Sequence, residues 1–197
     1  MLALIIAMSI CAAPSMADKM PVKASLPNTA PALARYIVRI NHKVKPAEAL
    51  TLAKRIVIEA RRHGLDLPLF AAIAHTESHF RVDCKGRSYE HGYWQLWPWA
   101  QWLAPSWDRL RAVMRGLPGW PDKDWGKLGR KLQIKASRDP VIATYLAAHL
   151  LARHVHGKAP TARLYARYNS GNPRVRPFYV RALRRRSKAI RAVLQVP

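Results

Sequence analysis

The sequence predicts a mainly α-helical protein built on one domain. Apolar residues recur at helical spacing through most of the chain, while strand-like alternation of apolar and polar residues is almost absent. No internal repeat is present at a solenoid period. At 197 residues, the chain has room for one ordinary domain with its own core, plus terminal extensions.

The first seventeen residues are typical of a cleaved export signal. They carry no charge and form an apolar run that ends in small residues at Ser15 and Ala17, although a basic start is missing. A retained membrane anchor would need nearer to ~20 apolar residues. We therefore expect export to a bacterial periplasm or cell wall. After cleavage Cys84 is the only cysteine, which excludes an internal disulfide and leaves too few thiolates for a structural zinc site.

The charge of the chain predicts an anionic partner. The formal net charge is +23, and all of it falls after the signal. Nucleic acid, an acidic membrane surface and an anionic wall polymer all satisfy that requirement, and charge alone does not choose among them. A basic surface that serves only solubility is the alternative.

Helices are expected along most of the chain after a Pro-containing lead-in at 18–45. Apolar residues recur at helical spacing from Pro46 until Gly64 stops the helix. Asp66 is a natural cap for the next helix, and Asp139 for a later one that ends at Gly157. The remaining helices are expected at about 32–42, 106–114, 125–134, 160–170 and 177–194.

The helical period is lost between residues 81 and 107, where glycines and prolines punctuate a polar and aromatic stretch. Loops or a short hairpin that line a site are expected here. The aromatic side chains of this stretch suit either the flat faces of sugar rings or core packing, and both interpretations stay open. They are Tyr89, Tyr93, Trp94, Trp97, Trp99 and Trp102.

Glu77 is the strongest candidate for a catalytic group. Leu69, Ile73 and Glu77 fall at i, i+4 and i+8 on the apolar stripe of the helix that starts near Leu67. Apolar surroundings penalise the ionised form of a carboxyl and raise its pKa, so the group holds a proton near neutral pH. This is the profile of a general acid.

Three clusters together resemble the soluble lytic transglycosylases of the lysozyme-like superfamily. The stretch from Gly64 to Phe80 resembles their catalytic helix, the stretch from Gly92 to Pro98 their Gly-Leu-Met-Gln-x-x-Pro motif, and Tyr168-Asn169-Ser170-Gly171 their Tyr-Asn-x-Gly motif. Gly92 follows Glu77 by 15 residues, the spacing that the family commonly shows. The motifs stand in the family's order.

The resemblance implies a lysozyme-like α-helical domain that cleaves the β-1,4 bond between N-acetylmuramic acid and N-acetylglucosamine in peptidoglycan. Glu77 would protonate the leaving oxygen and then remove the proton from the muramoyl 6-hydroxyl, which attacks the anomeric carbon and gives a 1,6-anhydro end. The substrate's N-acetyl group would replace a second, nucleophilic carboxylate. Neither a cofactor nor a metal is implied.

The resemblance also implies roles for other residues. Gln95 and Asn169 would hold sugar hydroxyls or acetamides, and Tyr168 would place its hydroxyl near Glu77. Ser78 would hydrogen-bond near the site. Tyr93 and Trp94 replace the usual Leu-Met, and we count them with the substrate-binding residues, since their size would affect the width of the cleft.

Glu90 departs from the common family pattern. Ser88-Tyr89-Glu90-His91-Gly92 is similar to the Ser-x-acid-x-Gly of the specialised transglycosylases that accompany secretion systems and pili. Glu90 is a second carboxylate that activates water, as in goose-type lysozymes, or a structural residue paired with a cation. We favour the structural role, because surface glutamates beside many cations are commonplace.

Two rival functions are weaker. His75 and His79 have the spacing of zinc ligands, but the order of a metalloprotease motif is missing. A non-catalytic module would bind the wall or nucleic acid through its arginines, yet the export signal and the lack of a nucleic-acid-binding signature argue against nucleic acid.

The expected organisation has four parts. They are the signal at 1–17, the lead-in at 18–45, the catalytic segment at 46–172 and a basic amphipathic helix at 173–197. We expect this last helix to dock the enzyme on an anionic envelope surface or a secretion or pilus complex. The oligomeric state is not predicted.

Overall fold

The structure, a computed structural model, describes residues 26–87, 90–96, 130–170 and 176–195. The protein is mainly α-helical, which confirms the predicted fold class. The export signal and the helix expected at 106–114 lie outside the described residues. In chain order the helices are α1 (Leu26–Ile40), α2 (Pro46–Arg62), α3 (Leu67–Ser78), α4 (Arg130–Arg138), α5 (Pro140–Val155), α6 (Ala162–Tyr165), α7 (Arg167–Ser170) and α8 (Pro177–Leu194).

Local capping signals set the ends of the main helices. The Asp66 carboxylate accepts a hydrogen bond of 2.9 Å from the backbone N–H of Leu69, and this starts α3. The Asp139 carboxylate accepts two such bonds at the start of α5. Gly64 and Gly157 follow α2 and α5 with positive φ angles of 61° and 69°, as expected for residues that end a helix. These four predictions are confirmed.

Three predicted helices differ in detail from the structure. The helix expected at 32–42 is α1, which already begins at Leu26, contains Pro31 and ends at Ile40. The segment 160–170 forms two short helices, α6 and α7, which meet at Ala166. The helix expected at 125–134 overlaps α4, which continues to Arg138. Residues 125–129 lie outside the described ranges.

Helix α3 is the centre of the fold. It packs against α8 along one side and against α2 on another, while α2 also contacts α1 and α5. Every residue from Leu69 to His75 is buried. A helix that is apolar on nearly all sides requires neighbours on nearly all sides, and here the first and last described helices supply part of that cover.

The terminal helices α1 and α8 contribute to the same core as the helices between them. Leu33 and Ile37 of α1 are buried in it, as are Leu183 and Ile190 of α8. The spacing of Tyr179, Leu183 and Ile190 confirms the predicted amphipathic helix, whose apolar side faces α3. Helix α8 is therefore part of the packed body of the protein. No helix of the described ranges is long and apolar enough to cross a membrane.

The segment between α3 and residue 96 turns back over the end of α3. It contains two isolated antiparallel bridges, Lys85 with His91 and His91 with Leu96, close to the expected short hairpin. Gly92 has a positive φ of 76°, and a Cβ atom there would clash with the backbone carbonyl of Ser137. Glycine is thus required where this turn meets α4.

Glu59 forms a buried charge cluster on α2. Its side chain is 0% exposed and lies 2.6 Å from Arg55, 3.1 Å from Arg62 and 3.5 Å from His63. The cluster holds a carboxylate inside the interface of α2 with α5, where an unpaired charge would be costly.

Candidate active site

Glu77 lies in the last turn of α3 and is hydrogen-bonded by two groups from the C-terminal part of the chain. The Tyr179 hydroxyl donates to Glu77 Oε1 at 2.5 Å, and Asn169 Nδ2 donates to the same oxygen at 3.3 Å. Helices α3, α7 and α8 therefore meet at one carboxyl oxygen. Residues about a hundred positions apart in sequence form a site that only tertiary packing creates.

The surroundings of Glu77 raise its pKa above the ordinary value for glutamate. Burial is the largest cause, and the negative charge of Glu90 acts in the same direction. The hydrogen bonds from Tyr179 and Asn169 and the charge of Arg186 oppose that shift without cancelling it. A carboxyl at the C-terminal end of a helix also faces the negative end of the helix dipole. The sequence predicts a raised pKa for Glu77 caused by apolar surroundings, and both the direction and the main cause agree with the structure.

Tyr168 lies near Glu77, but its hydroxyl bonds to the backbone of the loop. Its hydroxyl donates to the backbone carbonyl of Trp94 at 2.9 Å. Burial, followed by the charge of Glu77, raises the pKa of this phenol well above its usual range. The effect of the Glu77 charge agrees with the predicted position of the Tyr168 hydroxyl near Glu77, but the hydroxyl that bonds to Glu77 belongs to Tyr179.

The placement of Ser78, Tyr93 and Trp94 corrects their predicted contact with substrate. Tyr93 and Trp94 are 0% exposed and Ser78 is 1% exposed. The Ser78 hydroxyl donates to the backbone carbonyl of Tyr93 at 2.7 Å, which ties the loop to α3. The side chains are buried because the 92–96 turn packs into the core. These three residues therefore support the site from within the core.

The aromatic rings in this turn have core partners. Trp94 stacks on Phe70 with ring centroids 4.4 Å apart, and its indole N–H donates to Thr144 at 3.0 Å. The Tyr93 hydroxyl donates to Glu48. Core packing is thus the correct interpretation for Tyr93 and Trp94. The other aromatic candidates, Tyr89, Trp97, Trp99 and Trp102, lie outside the described residues.

Gln95 and Glu90 lie together beside Gly86. Gln95 has a φ of 48°, and its amide nitrogen donates to the carbonyls of Cys84 and Gly92 at 3.2 and 3.0 Å. A Cβ atom on Gly86 would lie 2.8 Å from the Gln95 side-chain oxygen and would clash with the Glu90 carboxylate. The loop thus brings the predicted amide and the second carboxylate to one place, and the charge of Glu90 acts on Glu77.

The contact of Tyr179 with Glu77 is not predicted from the sequence. The sequence places Tyr179 only on the apolar side of the last helix. A hydroxyl on an otherwise apolar buried stripe needs an acceptor, and this was the one available signal. The identity of the acceptor depends on how α8 packs on α3, which no local pattern encodes.

The histidine pair next to Glu77 is held by other contacts. The Tyr36 hydroxyl and His75 Nδ1 are 2.8 Å apart, and burial together with nearby arginines lowers the pKa of His75 to about 3. The rings of His75 and His79 lie 5.3 Å apart. Within the described ranges, no group of three His, Cys, Asp or Glu side chains is arranged to hold a metal ion.

No family model, curated protein or solved structure matches this chain in the three comparisons made. Its function is therefore inferred from the three motifs and from the geometry around Glu77.

We expect Tyr179→Phe to reduce turnover and to move its pH dependence. If protonated Glu77 is the active form, activity falls as pH rises through the pKa of Glu77. The Tyr179 hydroxyl stabilises the carboxylate and lowers that pKa, so its removal should raise the pKa and move the alkaline limb to higher pH. Turnover should fall by roughly tenfold, the effect of one hydrogen bond to a charged group.

The matched control is Tyr168→Phe, which also removes a buried hydroxyl but breaks a bond to the backbone of Trp94. Its alkaline limb should stay at the wild-type pH. The alkaline limb of each variant would be measured from the rate at which it releases soluble peptidoglycan fragments at a series of pH values. An unmoved limb in Tyr179→Phe would show that this hydroxyl does not act on the titrating group.

Proposed function

We propose that the protein is a peptidoglycan lytic transglycosylase with Glu77 as general acid and base. One observation carries the proposal: the acid of the first motif accepts a hydrogen bond from the asparagine of the third, while the turn of the second packs under both. Three short motifs that are weak singly thus meet around one carboxyl whose pKa is raised. A lysozyme-like domain is part of this proposal.

In the first step, protonated Glu77 donates its proton to the oxygen that links N-acetylmuramic acid to the next sugar. The bond between the anomeric carbon and that oxygen breaks, and the substrate's own N-acetyl group stabilises the carbon, as the family resemblance implies. A carboxyl that stays protonated toward neutral pH is suited to this step.

In the second step, the Glu77 carboxylate takes the proton of the muramoyl 6-hydroxyl, whose oxygen attacks the anomeric carbon. The product is a 1,6-anhydro end, no water is consumed, and Glu77 regains its proton. Tyr179 and Asn169 donate to Oε1 and so stabilise the carboxylate that exists between the two steps. Such donors aid catalysis because they are already in place when the charge develops.

The second candidate is hydrolysis of the same bond, as in a goose-type lysozyme. It is favoured by one observation, namely that the Glu90 charge is close enough to raise the pKa of Glu77. In this scheme Glu90 would activate a water molecule, and the product would be a reducing muramic end.

Digestion of purified peptidoglycan, followed by mass spectrometry of the released ends, tests these candidates. We expect anhydro ends from wild type, and the same ends at a similar rate from Glu90→Gln. Reducing ends that disappear in Glu90→Gln would assign hydrolysis. No release at all from the wild-type protein would leave only a binding function, with the wall or another anionic polymer as partner.

The proposal includes an envelope location for the protein. The outer side of α8 is basic and exposed at Arg181, Arg184, Arg185 and Lys188. This face suits an anionic envelope surface or an acidic face of a secretion or pilus complex. Export through residues 1–17 would bring the enzyme to that surface.

A further inference from the structure

Arg186 is partly buried, whereas the other arginines of α8 are exposed. It follows Tyr179 by seven residues and lies on the same side of the helix, against the end of α3. Its side chain is half-buried, and Nη2 lies 3.5 Å from Nε2 of the His79 ring. The next arginine on the exposed face, Arg184, points to solvent.

The charge of Arg186 acts on the catalytic carboxyl and its neighbours. After burial, it is the next cause of the lowered pKa values of His75 and His79, and it offsets part of the raised pKa of Glu77. Burial is the main cause, and Arg185 the next, of a lowered pKa for Arg186 itself. A guanidinium under these conditions is partly stripped of water and repelled by its neighbour, which makes an added anion favourable.

No carboxylate in the described part of the chain forms an ion pair within 4.0 Å of Arg186. The sequences of α1 and α8 contain no acidic residue. Arg81, which also acts on His79, donates to the Ser78 carbonyl at 3.2 Å. The end of α3 is thus a cationic corner beside Glu77, formed by Arg186 and Arg81 around the ring of His79, with the charge of Arg185 acting on Arg186 from the outer side of α8.

We propose that Arg186 and His79 form a subsite for a carboxylate of the substrate's peptide stem, directly beside the catalytic acid. The choice of ligand rests on the proposed function. In peptidoglycan the stem branches from the muramoyl residue whose bond Glu77 would cleave, so stem carboxylates are carried to this side of the site. A planar guanidinium pairs with a carboxylate through two parallel hydrogen bonds.

The subsite is a positioning element. An anion held at Arg186 fixes the muramoyl residue relative to Glu77, and it selects glycan that carries acidic stems over glycan without them. His79 ends α3 in the left-handed conformation, with a φ of 54°, as is common at the C-terminal end of a helix. Its ring lies against Arg186.

A binding measurement tests this subsite independently of catalysis. Soluble glycan strands with free stem carboxylates would be compared with the same strands after conversion of the carboxylates to neutral methylamides. Binding would be measured by calorimetry in a Glu77→Gln background, so that no turnover occurs. We expect the acidic strands to bind about tenfold more tightly, the typical effect of a charge-assisted hydrogen bond.

Adding Arg186→Gln should abolish that tenfold preference and leave binding of the amidated strands unchanged, while Arg186→Lys should retain part of the preference. Arg184→Gln is the matched control, because it removes the same charge from the exposed side of α8; it should keep the preference. Thermal unfolding of each variant would confirm a folded protein.

Equal weakening by Arg184→Gln and Arg186→Gln, or equal binding of acidic and amidated strands, would overturn the subsite. Stronger Arg186-dependent binding of inorganic phosphate than of acetate would overturn it as well, in favour of a phosphate site. If wild type releases anhydro ends without an Arg186-dependent preference, the subsite fails and the proposed function stands. If no release occurs but the preference is found, the proposed function fails and the anion subsite stands.

Discussion

Replacement of Glu77 by glutamine is expected to reduce peptidoglycan cleavage by roughly 10²–10⁴-fold, the usual contribution of general acid and base catalysis. Glutamine has the same shape and can accept the hydrogen bonds of Tyr179 and Asn169 through its oxygen. It carries no proton that can be donated to a leaving oxygen. Release of soluble fragments from purified peptidoglycan at fixed enzyme concentration measures the loss.

Stability should not account for this loss of activity. Burial raises the pKa of Glu77 in the folded state, so its protonated form favours folding at low pH, and this contribution is lost as pH rises through the raised pKa. Above that raised pKa the ionised side chain is a cost to the folded state, which glutamine avoids. The variant should therefore unfold at the same or a higher temperature than wild type.

A charge control excludes a general electrostatic effect. Asp83 is exposed in the segment that follows α3, and Asp83→Asn removes one negative charge as Glu77→Gln does. Its activity should stay close to that of wild type. Activity of Glu77→Gln equal to that of Asp83→Asn would reject the assignment of Glu77.

Replacement of Glu59 by alanine is expected to lower the free energy of unfolding by about 3–5 kcal/mol, the typical cost of breaking a buried ion pair from one side. The Glu59 side chain is 0% exposed and the paired Arg55 side chain is 15% exposed. Loss of the carboxylate leaves the Arg55 guanidinium inside the interface of α2 with α5 without its main partner. Denaturant unfolding followed by circular dichroism measures the change.

Arg62→Ala is the matched control for this cluster. Arg62 contacts the same carboxylate but its side chain is 49% exposed, so its contribution is expected at about 0–1 kcal/mol. A decrease in the free energy of unfolding of less than about 1 kcal/mol for Glu59→Ala would be well short of the typical cost of breaking a buried ion pair. It would mean that the cluster relaxes or is hydrated, and that it does not stabilise the packing of α2.

Much of the helical framework could be predicted because its signals are local. Asp66 and Asp139 cap helices in this structure through bonds within three residues, and Gly64 ends one with a positive φ. Each of these depends on a few neighbouring residues and on elementary backbone sterics. The split of segment 160–170 at Ala166 has no comparable signal.

The candidate site could be predicted only in part, because its contacts join distant segments. The apolar stripe of α3 was enough to single out Glu77 and the direction of its pKa. The stripe does not say that Tyr179 donates to this carboxyl while Tyr168 bonds to a loop carbonyl. That difference arises from the way α7 and α8 pack on α3.

The same limit explains the misassigned aromatic residues. Tyr93 and Trp94 follow a glycine in a loop, a setting that favours an exposed sugar-binding surface. In the structure the Tyr93 hydroxyl donates to Glu48 of α2, and Trp94 stacks on Phe70 of α3 and donates to Thr144 of α5. Contacts that join such distant segments cannot be read from the residues of the turn alone.

The titration of Glu77 itself tests the central claim most directly. The chain contains only four glutamates, Glu48, Glu59, Glu77 and Glu90, so the side-chain carboxyl resonances of a ¹³C-glutamate-labelled sample can be assigned by comparison with Glu77→Gln. We predict that the resonance absent from the variant titrates above the ordinary pKa of glutamate in the wild-type protein. A Glu77 pKa at or below that ordinary value would contradict the account.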